Sequence, residues 1–381
     1  MKLKKWNSGR WWMLSVAILG MLVAVGCSQD SESKVAEKSA SAPKAKAASP
    51  LDRWQPDFDP STASYRCIVS NVSHPVMKGV YAGFAIRDEL WKRTGGKIYF
   101  DYKPLSMLGG EVEVLNQLQM GAIQGMAVSS VAATNLGPRF GLVNLPFLVN
   151  SFDKLDRFIN SGPLFDHFMR AMNHQGITGL DITGYGSYGW ATTTPVTQLD
   201  EAGKVKFRIA EASVNKSLYD AWGLSPVVMP WPDVPVSLKQ GVITGLDHTP
   251  MVCNITKKFE VAKHYTQVNY AQGLFIWVFN SAWLESLPED LRATFIDVVH
   301  EVCADIRKET RAQEEAQIAD AKTNGVTFYT LPDVEMAMLK EKGDSVHQGW
   351  KEEINRLGDG DTYRPENYLG EVQSHLGYTV Q

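Results

Sequence analysis

The chain has 381 residues, with 38 Lys and Arg against 42 Asp and Glu and a formal net charge of −4. That balance argues against a general nucleic-acid role, and no zinc-finger spacing or RNP-type aromatic pattern appears. More than three hundred residues follow Tyr65, enough for two lobes with separate cores.

The N-terminus reads as a targeting segment. Lys2, Lys4, Lys5 and Arg10 precede an uncharged apolar run from Trp11 to Val25, short for a membrane span and suited to a signal-peptide core. The run ends in "LVAVGC", which resembles the lipobox of bacterial lipoproteins, with Ala24 where that motif more often has Leu. Residues 1–26 are therefore expected to be a signal peptide of lipoprotein type and Cys27 to carry lipid; cleavage elsewhere, as an ordinary signal peptide, is the alternative. Removing 1–26 deletes four positive charges and no negative ones, moving the formal charge from −4 to −8. Residues 27–60, rich in Ser, Ala, Lys and Glu, are expected to be a disordered tether. The other cysteines, Cys67, Cys253 and Cys303, form no CxxC and are expected to be buried thiols.

In chain order, "YRCIVSN" (65–71) reads as a strand and "MKGVYAGFAIRDELWKRTGG" (77–96) as a helix stopped by its glycines. "KIYFDYKP" (97–104) is a second strand, "GGEVEVLNQLQMG" (109–121) a second helix and "IQGMAVSS" (123–130) a third strand. This β-α-β-α-β order predicts a mostly parallel sheet covered by helices, an α/β fold. "GITGLDITGYG", "WATTTPV", "VKFRIA", "SPVVMP" and "ITGLDHTP" read as strands, with helices at "SVNKSLYDAWG" and "VPVSLKQG" between them, as a second α/β unit. "QGLFIWVFNSAWLESLP" returns as a strand with a turn. From Pro288 to Gly325 the pattern is one helical stretch of about 35 residues, too long for a single lobe, and it is expected to lie across two.

In "VKFRIA", Val205, Phe207 and Ile209 alternate with Lys204, Lys206 and Arg208, so pattern alone puts Arg208 on a wet face with the lysines. A resemblance suggests otherwise. "SMLGGEVEVLNQLQMGAIQGMAVSSV", "GLVNLPFL" (141–148), "LKQGVITGLDHTP" (238–250) and "NSAWLESLPEDLRATF" resemble, in this order, the DctP-like solute-binding subunits of TRAP (tripartite ATP-independent periplasmic) transporters. The similarity runs from Tyr65 to about Gly343. It implies a two-lobed, periplasmic-binding-protein-like fold with a ligand cleft between the lobes. Lobe I would comprise 61–184 and about 273–312, lobe II 185–272 and about 313–350, with 351–381 a C-terminal extension.

The resemblance further implies that Arg208 pairs with a ligand carboxylate. Its planar fork of donors suits a carboxylate, or a sulfonate, bidentately. Trp231 matches an aromatic cover over the ligand. Thr249 stands where the family's ligand-touching Asn is found, so His248 or Asp247 is expected to take part of that role. Ser129 matches a position that is acidic in some relatives. Tyr188 matches a second arginine of sialic-acid-type relatives, and its loss argues against a ligand needing two cationic clamps; Tyr188 or Trp190 would offer a polar tip or a stacking face. Asn71 and His74 follow the first strand and would line the cleft; Glu211 and Tyr270 complete the candidates. One arginine among Trp190, Trp231, Phe275 and Trp277 suggests a small monoanion with an apolar or aromatic part.

The implied function is capture of a small organic acid outside the cytoplasm and its delivery to small and large TRAP membrane subunits driven by an ion gradient. No cofactor, no metal and no nucleic acid is implied, and the lipid on Cys27 would hold the protein to the periplasmic or cell-surface side of a bacterial membrane. A ligand sensor for a receptor kinase would need the same cleft. A hydrolase on the same scaffold is the reading of a different class, but "GYGSYG" (184–189) lacks the glycine two before Ser187 that a nucleophile elbow needs, and no HExxH or P-loop is present.

Overall fold

The computed structural model describes residues 53–357 and 365–379. The strands are β1 (Tyr65–Ser70), β2 (Ile98–Lys103), β3 (Gly125–Ser129), β4 (Ile177–Ser187), β5 (Gly189–Thr192), β6 (Phe207–Ile209), β7 (Val227–Val228), β8 (Gly245–His248), β9 (His264–Thr266), β10 (Gln272–Asn280) and β11 (Thr327–Tyr329). They form a five-stranded sheet, β2-β1-β3-β10-β4, and a six-stranded sheet, β11-β9-β5-β8-β6-β7. The α/β, two-lobed architecture is therefore present, one sheet to each lobe.

The expected β-α-β-α-β unit forms the first half of lobe I. Helix Lys78–Arg93 connects β1 to its parallel neighbour β2, and helix Glu111–Gln119 leads into β3, also parallel to β1. The sheet is less parallel than expected, because β10 lies antiparallel to both β3 and β4. The reason is its origin: β10 is the chain returning from lobe II. All nine of its residues are buried, and Trp277, Phe279, Phe100 and Phe295 form an aromatic core around it. Burying each such ring contributes about 2–3 kcal/mol.

Only Tyr188 separates β4 from β5, so one nearly continuous strand serves both sheets. The second crossing is the segment between β9 and β10. The third is helix Glu289–Thr323, which packs on the Lys78–Arg93 helix and β4 in lobe I and on helix Pro250–Ile255 in lobe II. The expectation of a helix laid across both lobes holds. Its polar residues tie each part in turn. Gln313 accepts from Lys78 N (2.8 Å) and donates to Val76 O (2.8 Å) in lobe I. Glu314 accepts from Ser187 N at the β4–β5 crossing (2.7 Å), and Gln317 and Asp320 accept from Asn254 in lobe II (2.8 Å each). Gly186 takes φ +100°, and a Cβ there would strike the Glu314 carboxylate.

Two boundaries differ from the sequence reading. The tether is shorter than 27–60, because Phe58 stacks on Trp91 (4.1 Å between ring centroids, 6° between planes) and Trp54 packs against Phe84. Two aromatics at the end of a polar run anchor it to lobe I. The signal peptide, Cys27 and the rest of the tether lie outside the described residues.

Residue 351 marks no break either: helix Asp333–Leu357 runs through it. Trp222 Nε1 donates to Leu339 O (3.0 Å) and Trp350 Nε1 to Pro138 O (2.6 Å), so this helix rests on both lobes. Helix Pro365–Leu376 then packs on the lobe I helices Phe152–Ile159 and Pro163–Arg170. The three cysteines of the body are free and buried, as expected.

Candidate functional site

Arg208 is the middle residue of β6, between β8 and β7, and is 5 % exposed. The alternation with Lys204 and Lys206 stops at the strand, where Phe207, Arg208 and Ile209 are all buried. Nε and Nη2 donate to the Met229 carbonyl at 3.0 and 2.8 Å, which fixes the plane of the guanidinium. Among the described residues Nη1 has no hydrogen-bond partner, and no carboxylate lies within ion-pair distance. An unpaired buried charge is costly. Burial holds the guanidinium below its ordinary pKa, against the opposing influence of Tyr188, Glu111, Asp247 and Tyr185.

Trp231 follows β7 in a short 3-10 turn, with the Arg208 guanidinium 5.6 Å from its ring and Lys258 Nζ 4.8 Å from it. His248, at the end of β8, lies 4.8 Å from Trp231, 5.6 Å from Tyr188 and 5.8 Å from Tyr185 between ring centroids. His248 Nδ1 accepts from Thr249 N (2.9 Å), so the neutral ring carries its proton on Nε2, which has no hydrogen-bond partner among the described residues. Burial, with Arg208 and Lys258 nearby, holds its pKa well below the ordinary value. Tyr188 joins the group through its hydroxyl, 2.8 Å from that of Tyr185, and through Tyr270, 5.7 Å away.

Asp247 is 2 % exposed and turns to the other face of the sheet. Its Oδ2 accepts from the Tyr270 hydroxyl (2.7 Å) and Asn215 Nδ2 (3.3 Å). Among the described residues its Oδ1, the Tyr219 hydroxyl and Trp190 Nε1 complete no well-aligned hydrogen bond, although Tyr219 lies beside Asp247 and Trp190 beside Tyr219. Burial raises its pKa to about 7, with Tyr270 and Arg208 opposing the rise.

Other candidates are employed structurally. Thr249 Oγ1 accepts from Val252 N (3.3 Å), capping helix Pro250–Ile255. Asn71 closes the end of β1 by donating to Ala127 O (2.7 Å) and accepting from Ser73 N (2.7 Å). Trp190 is fully buried against Phe207 and Trp222, and Trp277 donates to Thr183 Oγ1 within the lobe I core. His74 lies apart: with Val76 it faces Asn254, Lys257, Gln317 and Asp320 across a groove of about 580 Å³ that Arg208, Trp231 and His248 do not line.

Ser129 shows where sequence reasoning missed a residue. Its N–H and Oγ donate to the two carboxylate oxygens of Glu111 at 2.7 and 2.8 Å. Glu111 opens helix Glu111–Gln119 directly after the two glycines, a position that in sequence is only an acid favouring a helix start. Burial raises its pKa, Ser129 and Arg208 oppose the rise, and Glu211 reinforces it. Glu111 thus comes from lobe I and Arg208 from lobe II. Phe275, paired with Ser129 across β10 and β3, lies 4.5 Å from Tyr185 and closes the aromatic lining between them.

The lobes meet on either side of this group. Asn135 Nδ2 donates to Glu211 O (2.9 Å), and a Cβ at Gly110 would come 3.9 Å from Pro230 Cβ. The arrangement is an interlobe seam with one fixed guanidinium, an aromatic wall and the Glu111 carboxylate near enough to act on the guanidinium. It can hold an anion by its fork and stack its remainder; among the described residues no group of acid, cysteine and histidine side chains could hold a metal ion.

Comparison with known proteins agrees. Residues 69–353 match the family described as bacterial extracellular solute-binding protein, family 7 (DctP). The C4-dicarboxylate-binding periplasmic protein DctP of Rhodobacter capsulatus is 28 % identical over 265 residues, 69 % of this chain and 79 % of that one. A TRAP periplasmic solute-binding protein from Shewanella oneidensis, solved with bound succinate, superposes with a TM-score of 0.75 at 22 % identity, covering 82 % of this chain and 100 % of that one. One from Haemophilus influenzae, with bound L-gulonate, gives 0.76 at 15 % identity, over 82 % and 99 % of the two chains. These two show a shared fold. With three quarters of its length inside the family match, the chain belongs to the DctP family of bacterial extracellular solute-binding proteins.

Proposed function

We propose that the protein captures a small carboxylate, or a sulfonate, between its lobes, with Arg208 as the anchor and Trp231, His248, Tyr188 and Glu111 around the bound solute. The observation that carries this is the buried Arg208 fork, held in plane by Met229 O and lacking a carboxylate partner. A bidentate anion supplies the missing charge where water is largely excluded. Capture closes a hinge made of the β4–β5 and β9–β10 crossings and the helix Glu289–Thr323, with 61–184 and about 273–312 moving against 185–272 and about 313–350. Closure is favoured only by contacts the open form lacks.

Binding without catalysis is the reading that fits Ser187, whose hydroxyl accepts from Gln272 Nε2 (2.5 Å) at the hinge. Delivery to TRAP membrane subunits follows from the family. Anchoring through lipid on Cys27 rests on the "LVAVGC" sequence; loss of membrane association in Cys27→Ser is the expected result, and membrane association that survives the change counts against it. The test of the site is a calorimetric screen of small organic acids against the parent and Arg208→Ala. An acid bound by the parent and at least about 100-fold more weakly by the variant supports the anchor, the expected scale for losing one side of a buried charge pair. Equal binding moves the site elsewhere.

A further inference from the structure

The charges around the cleft are unequal, and they point to a narrower class of ligand. Lobe I presents Glu111, whose carboxylate is held at both oxygens by Ser129 and is only half-buried. Lobe II presents Arg208 with Asp247 behind it, and Glu211 begins the segment after β6. Lys258 is a further cation on this side, beside Trp231. Its ammonium donates to Thr256 O (3.1 Å) and lies on the Trp231 ring, 4.8 Å from its centre. The Glu111 carboxylate and the Arg208 guanidinium therefore approach one space from opposite lobes, with the Lys258 ammonium set to the side and Asp247 on the far face of the sheet. A ligand carboxylate on Arg208 would use up the fork and leave Glu111 facing whatever the ligand carries at its other end. A second carboxylate there would meet like charge. A cationic nitrogen would meet Glu111 on one side and, on the other, the faces of Tyr185, Tyr188 and Trp231, which attract cations.

We infer that the ligand is a monocarboxylate carrying a cationic nitrogen, an amino-acid-like zwitterion rather than a dicarboxylate, with its carboxylate on Arg208 and its nitrogen toward Glu111. The inference rests on the proposed role of Arg208. Burial holds the Glu111 carboxyl above its ordinary range, and a cation bound beside it would oppose that rise.

The test is calorimetry on the purified protein with four probes that share one chain length and differ at one end: 5-aminopentanoate, 5-hydroxypentanoate, pentanoate and glutarate, then the same ends on a butanoate chain. The amino compound is expected to bind about ten-fold or more tightly than the dicarboxylate of its length, and Glu111→Gln to lower that ratio about ten-fold, as for loss of one partner of a desolvated charge pair. Ser129→Ala, which frees one Glu111 oxygen while the backbone N–H still holds the other, is expected to lower the same ratio by less. Tighter binding of glutarate or the hydroxy acid, still dependent on Arg208, overturns the zwitterion class and leaves the anchor standing. Binding that ignores Arg208→Ala, or no binding by any probe, overturns the anchor and the class together.

Discussion

Asp247 gives the sharpest quantitative test of the site's electrostatics. Its carboxyl is pushed from an ordinary 3.8 to about 7, first by burial. The folded protein therefore binds this proton more tightly than the unfolded chain. The stability it contributes is full below about pH 3.8 and is lost as pH rises through about 7. Between pH 5 and pH 8 the loss is roughly 2–3 kcal/mol, from the two pKa values and about 1.4 kcal/mol per unit.

Asp247→Asn keeps the side-chain shape and an oxygen to accept from Tyr270 and Asn215 but removes the titration. Urea unfolding of ligand-free protein at pH 5 and pH 8 should show a parent whose stability falls between the two by roughly 2–3 kcal/mol more than the variant's. Glu111 and Glu314 are raised by burial and act in the same direction. His248 and His347 are lowered by burial and act in the opposite one. All of them are common to both proteins, so the difference isolates Asp247. Equal pH dependence in parent and variant would refute the reasoning.

Two further outcomes follow from hydrogen bonds and packing. Thr249→Ala should remove about 1 kcal/mol of stability by uncapping helix Pro250–Ile255 while leaving ligand affinity within about two-fold; a ten-fold weaker Kd in calorimetry would instead place Thr249 on the ligand. Phe58→Ala should cost about 2 kcal/mol in urea unfolding through loss of the Trp91 stack, and an unchanged midpoint would return residues up to 60 to the tether.

The parts of the fold legible in the sequence are those where one face is buried over several turns. The β1–β3 unit with its two helices and the long helix from Glu289 are read correctly by periodicity, because each meets a large partner along its whole length. Helix Asp333–Leu357 shows no such period in the sequence. Its anchors, Leu339, Val346, Trp350 and Ile354, are dispersed among charges, and they pack on two different lobes. β6 misleads for the opposite reason. Three residues are too few for a period, so Lys204 and Lys206, outside the strand, lend Arg208 a false place on a wet face.

The site residues raise a further question, since the family match extends over most of them. At two positions where the resemblance implies a different residue, the side chain serves the scaffold. The hydroxyl of Thr249, where an Asn would touch the ligand, is committed to a helix cap. Ser129, where some relatives place an acid, instead holds an acid that arrives from another element. The acid beside Ser129 belongs to the start of helix Glu111–Gln119 and not to β3. A match made position by position registers the loss at Ser129 and not the gain at Glu111, because only folding brings the two together. Arg208 escapes this ambiguity: its fork is fixed by a backbone carbonyl, Met229 O, which any residue at 229 would supply. The proposed anchor therefore depends on the strand backbone, whereas the solute it would hold depends on side chains that only this chain's own contacts bring together.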